Sequence, residues 1–161
     1  GEVVTESSLT KPDRETGRIL LEAEQRALAA GGAVARLAGI YGPGRSVLLR
    51  KFRDDTARIE GDGSRIVNQI HRDDAASALL ALATLRQTGI FNVVDDSPAT
   101  QLEVYRWIAE VLARPLPPHG EPDLNRKRGW TSKRVSNLRL RSLGWAPGFP
   151  SYRDALLTLI D

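Results

Sequence analysis

At 161 residues with 41% apolar side chains, the chain is long enough to bury the core of a single domain spanning residues 1–161. It has no cysteine, which excludes disulfides and thiolate metal sites, and its two histidines, His71 and His119, are too few and too far apart for a histidine zinc cluster. The formal net charge of +3 is modest and no apolar run reaches the ~20 residues of a membrane span, so a cytoplasmic setting without a membrane partner is the expectation.

Residues 1–15 are polar and carry Pro12, which reads as a loop. From Thr16 the apolar spacing turns helical: Ile19, Leu20, Ala23, Ala27 and Leu28 share one face, up to Gly31-Gly32. Ala33 to Tyr41 reads as one buried strand, apolar on both faces apart from Arg36, as in a parallel sheet covered on both sides. Gly42-Pro43-Gly44 must turn the chain there, and the carboxyl end of such a strand is where an α/β sheet holds its ligand. Arg45 to Phe52 reads as a short helix with Val47, Leu48 and Phe52 inward.

Gly61-Asp62-Gly63 is a turn, and Ile66, Val67 and Ile70 mark a short strand. Asp73 stands at the N-cap position of a helix through Ala75 to Leu85. Ile90 to Val94 is a second buried strand, ending in Asp95-Asp96-Ser97-Pro98. Thr100 and Glu103 form a capping box for a helix to about Ala113. Pro115, Pro117, Pro118 and Pro122 make a rigid, extended connection. Ser136 to Leu143 reads as a helix halted by Gly144, and a last helix spans Tyr152 to Ile160. Strands alternating with helices argue an α/β fold.

Three constellations carry chemistry. Gly39-x-x-Gly42-x-Gly44 has the outline of a phosphate cradle, but Arg45 stands where the dinucleotide fingerprint needs its third glycine, and Pro43 lacks an amide donor. It reads better as the wall of a pocket. His71 beside Asp73 and Asp74 has the groups of a general base, yet a capped helix start with the imidazole packed behind it explains the same residues. Between 125 and 141 lie Arg126, Lys127, Arg128, Lys133, Arg134, Arg139 and Arg141 with no acidic residue. Trp130 alone supplies no stacking series, so a solvated segment is favoured over a nucleic-acid surface.

In order along the chain, Gly39-Ile40-Tyr41-Gly42-Pro43-Gly44, Gly61-Asp62-Gly63, Ile70-His71-Arg72-Asp73-Asp74 and Phe91-Asn92-Val93-Val94-Asp95 form a series. Lys133-Arg134-Val135-Ser136-Asn137 and Leu143-Gly144-Trp145-Ala146-Pro147 continue it. The series resembles the second half of the NAD(P)-dependent epimerase/dehydratases, the extended short-chain dehydrogenase/reductase family. The resemblance implies the C-terminal part of an extended Rossmann-type fold, with one or two parallel strands of its sheet and a small substrate-binding lobe. It implies NAD or NADP as cofactor, with Tyr41, Gly42 and Pro43 beside it. It also implies that Gly39, Ile40, Arg65, Asn68 and His71 face a small-molecule substrate.

The family's glycine-rich loop lies ahead of the matched part, so the implied partner is a missing N-terminal nucleotide-binding half; a homodimer is compatible. The family's catalytic tyrosine and lysine fall on Thr16 and Leu20. Its diphosphate-binding arginine falls on Val67, with Arg65 and Arg72 as substitutes. The expected function is the substrate-side portion of an NAD(P)-dependent epimerase/dehydratase-like protein for a sugar nucleotide or related substrate. Its catalytic helix is atypical, and this chain alone is expected to be inactive. The alternative is a non-catalytic basic α/β module that binds nucleic acid or a protein partner through residues 125–141.

Overall fold

The computed structural model describes residues 1–122 and 132–159. The first fifteen residues hold a strand as well as a loop, β1 (Glu2–Val4), before helix α1 (Glu15–Ala29). β2 (Ala33–Leu37), β3 (Gly39–Tyr41) and α2 (Val47–Arg53) follow. Ser46 accepts the amide of Leu49 as N-cap, and that phase turns Leu49 and Phe52 inward while Val47 is left exposed, contrary to the expected inward Val47. Then come β4 (Ile59–Glu60), β5 (Ile66–Val67), β6 (Gln69–His71) and α3 (Arg72–Thr84).

The N-cap of α3 is His71 rather than Asp73, because the imidazole Nδ1 accepts the Asp73 amide. β7 (Gly89–Val93), β8 (Ala99–Thr100) and α4 (Gln101–Val111) come next, the last opened by the expected Thr100/Glu103 capping box. The proline-rich connection includes β9 (His119–Gly120). The helix expected over 136–143 shrinks to α5 (Leu138–Arg141), preceded by β10 (Lys133–Val135). α6 (Tyr152–Leu156) runs into a 3-10 turn (Leu157–Leu159), and Ile160 lies outside the described residues.

The segment 33–41 is not one strand. β2 pairs parallel with β7, Ala33 opposite Gly89 through Leu37 opposite Val93, while β3 pairs parallel with β6, Gly39 opposite Gln69 and Tyr41 opposite His71. The change of partner takes one residue: the Ala38 amide donates to Val93 O at 3.0 Å and the Gly39 amide to Asn68 O at 3.1 Å. A Cβ at position 39 would stand 3.2 Å from that Asn68 oxygen, a close approach that glycine avoids. The expected strand over 66–70 divides likewise, into β5, antiparallel to β8, and β6. β1 pairs parallel with β10, and β4 with β9.

The switch at Ala38 carries the chain from one core to another. On the sheet side Ile70, Ala75, Ala78, Leu82, Phe91, Val93, Leu140 and Trp145 pack together between α3, β7 and α5. In the lobe Leu49, Phe52, Ile59, Val104, Tyr105, Ile108 and Leu156 pack between α2, β4, α4 and α6, and Tyr41 belongs to this second core. At the Gly61–Gly63 turn Gly63 has φ +76°, and a Cβ there would meet Ile59 Cγ2 at 2.7 Å and Leu102 Cβ at 2.8 Å, so α4 can close on β4 only over glycine.

α1 is held to β2 by Glu24, which takes Arg36 Nε at 2.9 Å and Nη2 at 2.6 Å. Its expected apolar face is not buried: Ile19 is 58% and Leu20 67% exposed. β2 has one hydrogen-bonded neighbour among the described residues, β7. A groove of about 740 Å³ runs between Leu20, Ala23 and Ala27 of α1 and residues 33–37. Among the described residues no helix is long and apolar enough to cross a membrane.

Candidate functional site

The carboxyl ends of β3 and β6 place Tyr41 and His71 side by side, because the parallel register makes them partners. Their ring centroids are 5.6 Å apart and nearly perpendicular, and Phe149 covers the imidazole at 4.1 Å. Both residues are buried. The Asp73 amide donates to His71 Nδ1 at 3.3 Å, so the neutral ring carries its proton on Nε2. That Nε2 and the Tyr41 hydroxyl are buried and have no hydrogen-bond partner among the described residues. Orphaned buried polar atoms are costly, and two on adjacent strand ends mark the site.

Gly42 continues from Tyr41 over the same imidazole. A Cβ at this position would stand 3.2 Å from His71 Nε2 and 3.0 Å from Arg72 Cγ and Cδ, so helix α3 leaves no room for a side chain. The turn closes on itself, with the Gly42 amide donating to Arg45 O and the Arg45 amide to Gly42 O, both at 2.9 Å. Two of its amides are thereby consumed and Pro43, exposed at the tip, has none. It cannot surround a phosphate with backbone donors.

Two acids that read in the sequence as turn or helix-start residues complete the site. Asp74 is buried, and its carboxylate accepts the amides of Gly148 at 2.7 Å and Phe149 at 3.0 Å, which fixes Phe149 against His71. Asp95 is buried at the end of β7, where its own amide donates to Gln69 O and its Oδ1 accepts the Ser97 amide at 3.2 Å. Burial pushes the Asp95 carboxyl up to about 7, against the pull of the Ser97 amide, and Asp96, Asp74 and Asp154 raise it further. Burial likewise lifts the Tyr41 phenol above its ordinary value, with Asp95, Asp74 and Asp154 adding to it.

Strand alternation was the overlooked signal for Asp95, since Phe91, Val93 and Asp95 fall on one face and the first two are core. For Asp74 it was helical spacing, with Ala78 one turn on and Leu82 two turns on, both buried.

The other expected site residues divide. Gly39 and Ile40 lead directly into the Tyr41–His71 pair, and Ile40 packs against the sheet-side core. Arg65 pairs with Glu60 across the glycine turn at 3.1 Å. Asn68 gives both ends of its amide to β10, Nδ2 donating to Lys133 O at 2.8 Å and Oδ1 accepting the Val135 amide at 2.9 Å. Thr16 and Leu20 line the groove beside β2.

In the basic segment, Arg126, Lys127, Arg128 and Trp130 lie outside the described residues. Arg134 donates to Pro98 O at 3.0 Å, Arg139 stacks over Phe91 at 4.7 Å and Arg141 stands 3.8 Å from Asp96. These three arginines are occupied in fastening β10 and α5 to β7 and the turn after it. Among the described residues no group of three or more His, Asp or Glu is placed to hold a metal ion.

No protein-family profile matches the chain. It is 33% identical over 141 residues to a 3-diazoavenalumate denitrifying reductase from Streptomyces sp., an alignment covering 78% of this chain and 46% of that protein. The structure of a conserved protein of unknown function from Silicibacter pomeroyi DSS superposes with a TM-score of 0.83 at 33% identity, over 99% of this chain and 60% of the other. MoeE5, solved with UDP-glucuronic acid and NAD, superposes with a TM-score of 0.81 at 27% identity, over 99% of this chain and 58% of its own. The chain thus spans about half the length of its curated relative and three fifths of these structures. Its structural neighbours are NAD-dependent epimerase/dehydratase family proteins of the short-chain dehydrogenase/reductase type, and the chain has the fold of their C-terminal portion.

Proposed function

We propose that the carboxyl ends of β3 and β6 form the substrate-side wall of an NAD(P)-dependent site whose nucleotide-holding part lies outside these 161 residues. The observation that carries this reading is the orphaned pair, Tyr41 hydroxyl and His71 Nε2–H, packed against a glycine that admits no side chain. Such a wall fits the flat face of a nicotinamide, with the backbone of Tyr41, Gly42 and Pro43 against it, Gly39 and Ile40 on the substrate side, and His71 backing the wall from behind Gly42. It does not hold the cofactor's phosphates, since the turn lacks the amides. The edge of β2 that has no partner among the described residues and the exposed face of α1 are suited to a further parallel strand, which would bring a glycine-rich loop and its helix. Arg65 and Asn68 support the wall from behind, through Glu60 and β10.

Within that reading the chemistry is reductive. When bound, the nicotinamide supplies or accepts a hydride. Interconverting a hydroxyl and a carbonyl also needs a proton relay at the oxygen, and Thr16 and Leu20 offer no ionisable group for it. Reduction of an electron-poor, cationic acceptor cancels charge as hydride arrives and needs no acid at an oxygen. The diazo-acid reductase relative is named for chemistry of that kind, so a small electron-poor substrate is favoured over a sugar nucleotide. The test is to join a nucleotide-binding half with a Gly-x-x-Gly-x-x-Gly loop ahead of Gly1 and titrate with NADH and NADPH. The joined protein is expected to bind one of them at micromolar concentration; a folded joined protein that binds neither overturns the reading.

A further inference from the structure

We infer that the cleft between the Gly42–Arg45 turn and α2 is a binding site for a terminal phosphate group. The cleft, about 290 Å³, opens beside the carboxyl end of β3 and is lined by Arg45, Arg50 and Arg53. α2 has given its inner face, Leu49 and Phe52, to the lobe core, so Arg50 and Arg53 stand one turn apart on its open side. Arg53 donates from Nη2 to Leu159 O at 3.2 Å, which anchors its guanidinium at the 3-10 turn bordering the cleft. Arg45 and Arg50 make no ion pair or hydrogen bond through their side chains among the described residues.

Among the described residues Asp54 is the one acidic side chain on the lining, and Arg45 and Arg50 bring two guanidiniums that are not committed to it. Cations near the end of a helix are favoured by its dipole, which accounts for Arg50 and Arg53. It does not account for Arg45, which precedes the same helix and stands at its positive end. Like charges one helical turn apart repel as well. A dianion in the cleft relieves both, and the planar fork of arginine suits phosphate oxygens. Charge selects the ligand further. A terminal phosphate or pyrophosphate carries two or more charges, whereas the bridging diphosphate of a dinucleotide carries one on each phosphorus.

The inference rests on the cleft alone and is separate from the cofactor reading, because its probe contains no nicotinamide. The full chain is titrated calorimetrically with inorganic pyrophosphate at low salt, with glucose 1-phosphate and NAD⁺ as competitors. Submillimolar binding is expected, displaced by glucose 1-phosphate and not by NAD⁺. Arg45→Gln and Arg50→Gln, neither of which breaks a side-chain hydrogen bond or ion pair among the described residues, are each expected to weaken it about tenfold. Arg106→Gln on α4 is expected to leave it within twofold. Circular dichroism confirms that each variant is folded. Absence of binding by the folded chain, displacement by NAD⁺ in preference to glucose 1-phosphate, or equal effects of Arg106→Gln and Arg50→Gln would overturn the assignment.

Discussion

Asp95→Asn is expected to make the protein more stable above neutral pH and to flatten its stability between about pH 4 and 7. The native carboxyl is raised from 3.8 to about 7, chiefly by burial. Across that interval the folded state holds a proton that the unfolded state has released, so wild-type stability falls as pH rises, and the loss is complete above the folded value. The shift corresponds to about 4 kcal/mol, full above pH 7 and absent below pH 4. Asparagine keeps an oxygen for the Ser97 amide and has no proton to lose. Urea denaturation of both proteins from pH 4 to pH 8 measures the difference. Parallel stability curves for the two would show that Asp95 is solvated, and the buried acid would have to be abandoned.

Asp74→Ala is expected to destabilise the protein by about 3 kcal/mol. The buried carboxylate is the acceptor for two backbone amides, Gly148 and the half-buried Phe149, and removing it takes the acceptor from both and leaves a void where the carboxylate packs. Asp74→Asn retains one acceptor and is expected to fall between. Phe149 would lose its hold against His71, so the loss should be accompanied by a change in the environment of nearby Trp145, whose indole donates to Ser77 one turn along α3. Denaturation followed by tryptophan fluorescence reports both. A cost below about 1 kcal/mol would mean that water replaces the carboxylate at both amides and that Asp74 does not hold the 148–149 backbone.

The features legible in the sequence were those set by local chemistry. The Thr100/Glu103 box, the glycine turn at 61–63 and the α/β alternation need only neighbouring residues, and each is present. The ordered motifs carried the family without any pairing information. What escaped was set by distant partners. Nothing in Ala33–Tyr41 announces that its neighbour changes at Ala38, because both halves are short, apolar and parallel. The apolar face of α1 was visible, but whether it is buried depends on what packs against it. His71 took the cap from Asp73 because its imidazole lies over the first turn, a placement fixed by β6 pairing with β3. In the site the glycines were readable from turn chemistry and Tyr41 from the family resemblance, while Asp74 reads in sequence as helix-start structure and Asp95 as part of a turn.

The central claim is that these residues supply one wall of a cofactor site and not the part that grips the nucleotide. Calorimetric titration of the 161-residue chain with NAD(H) and NADP(H) tests it most directly. The closed Gly42–Arg45 turn and the amide-free Pro43 predict binding no tighter than millimolar, with no oxidoreduction or epimerisation by this chain alone. Micromolar binding of either cofactor would contradict the claim and make Gly39 to Arg45 a true phosphate loop.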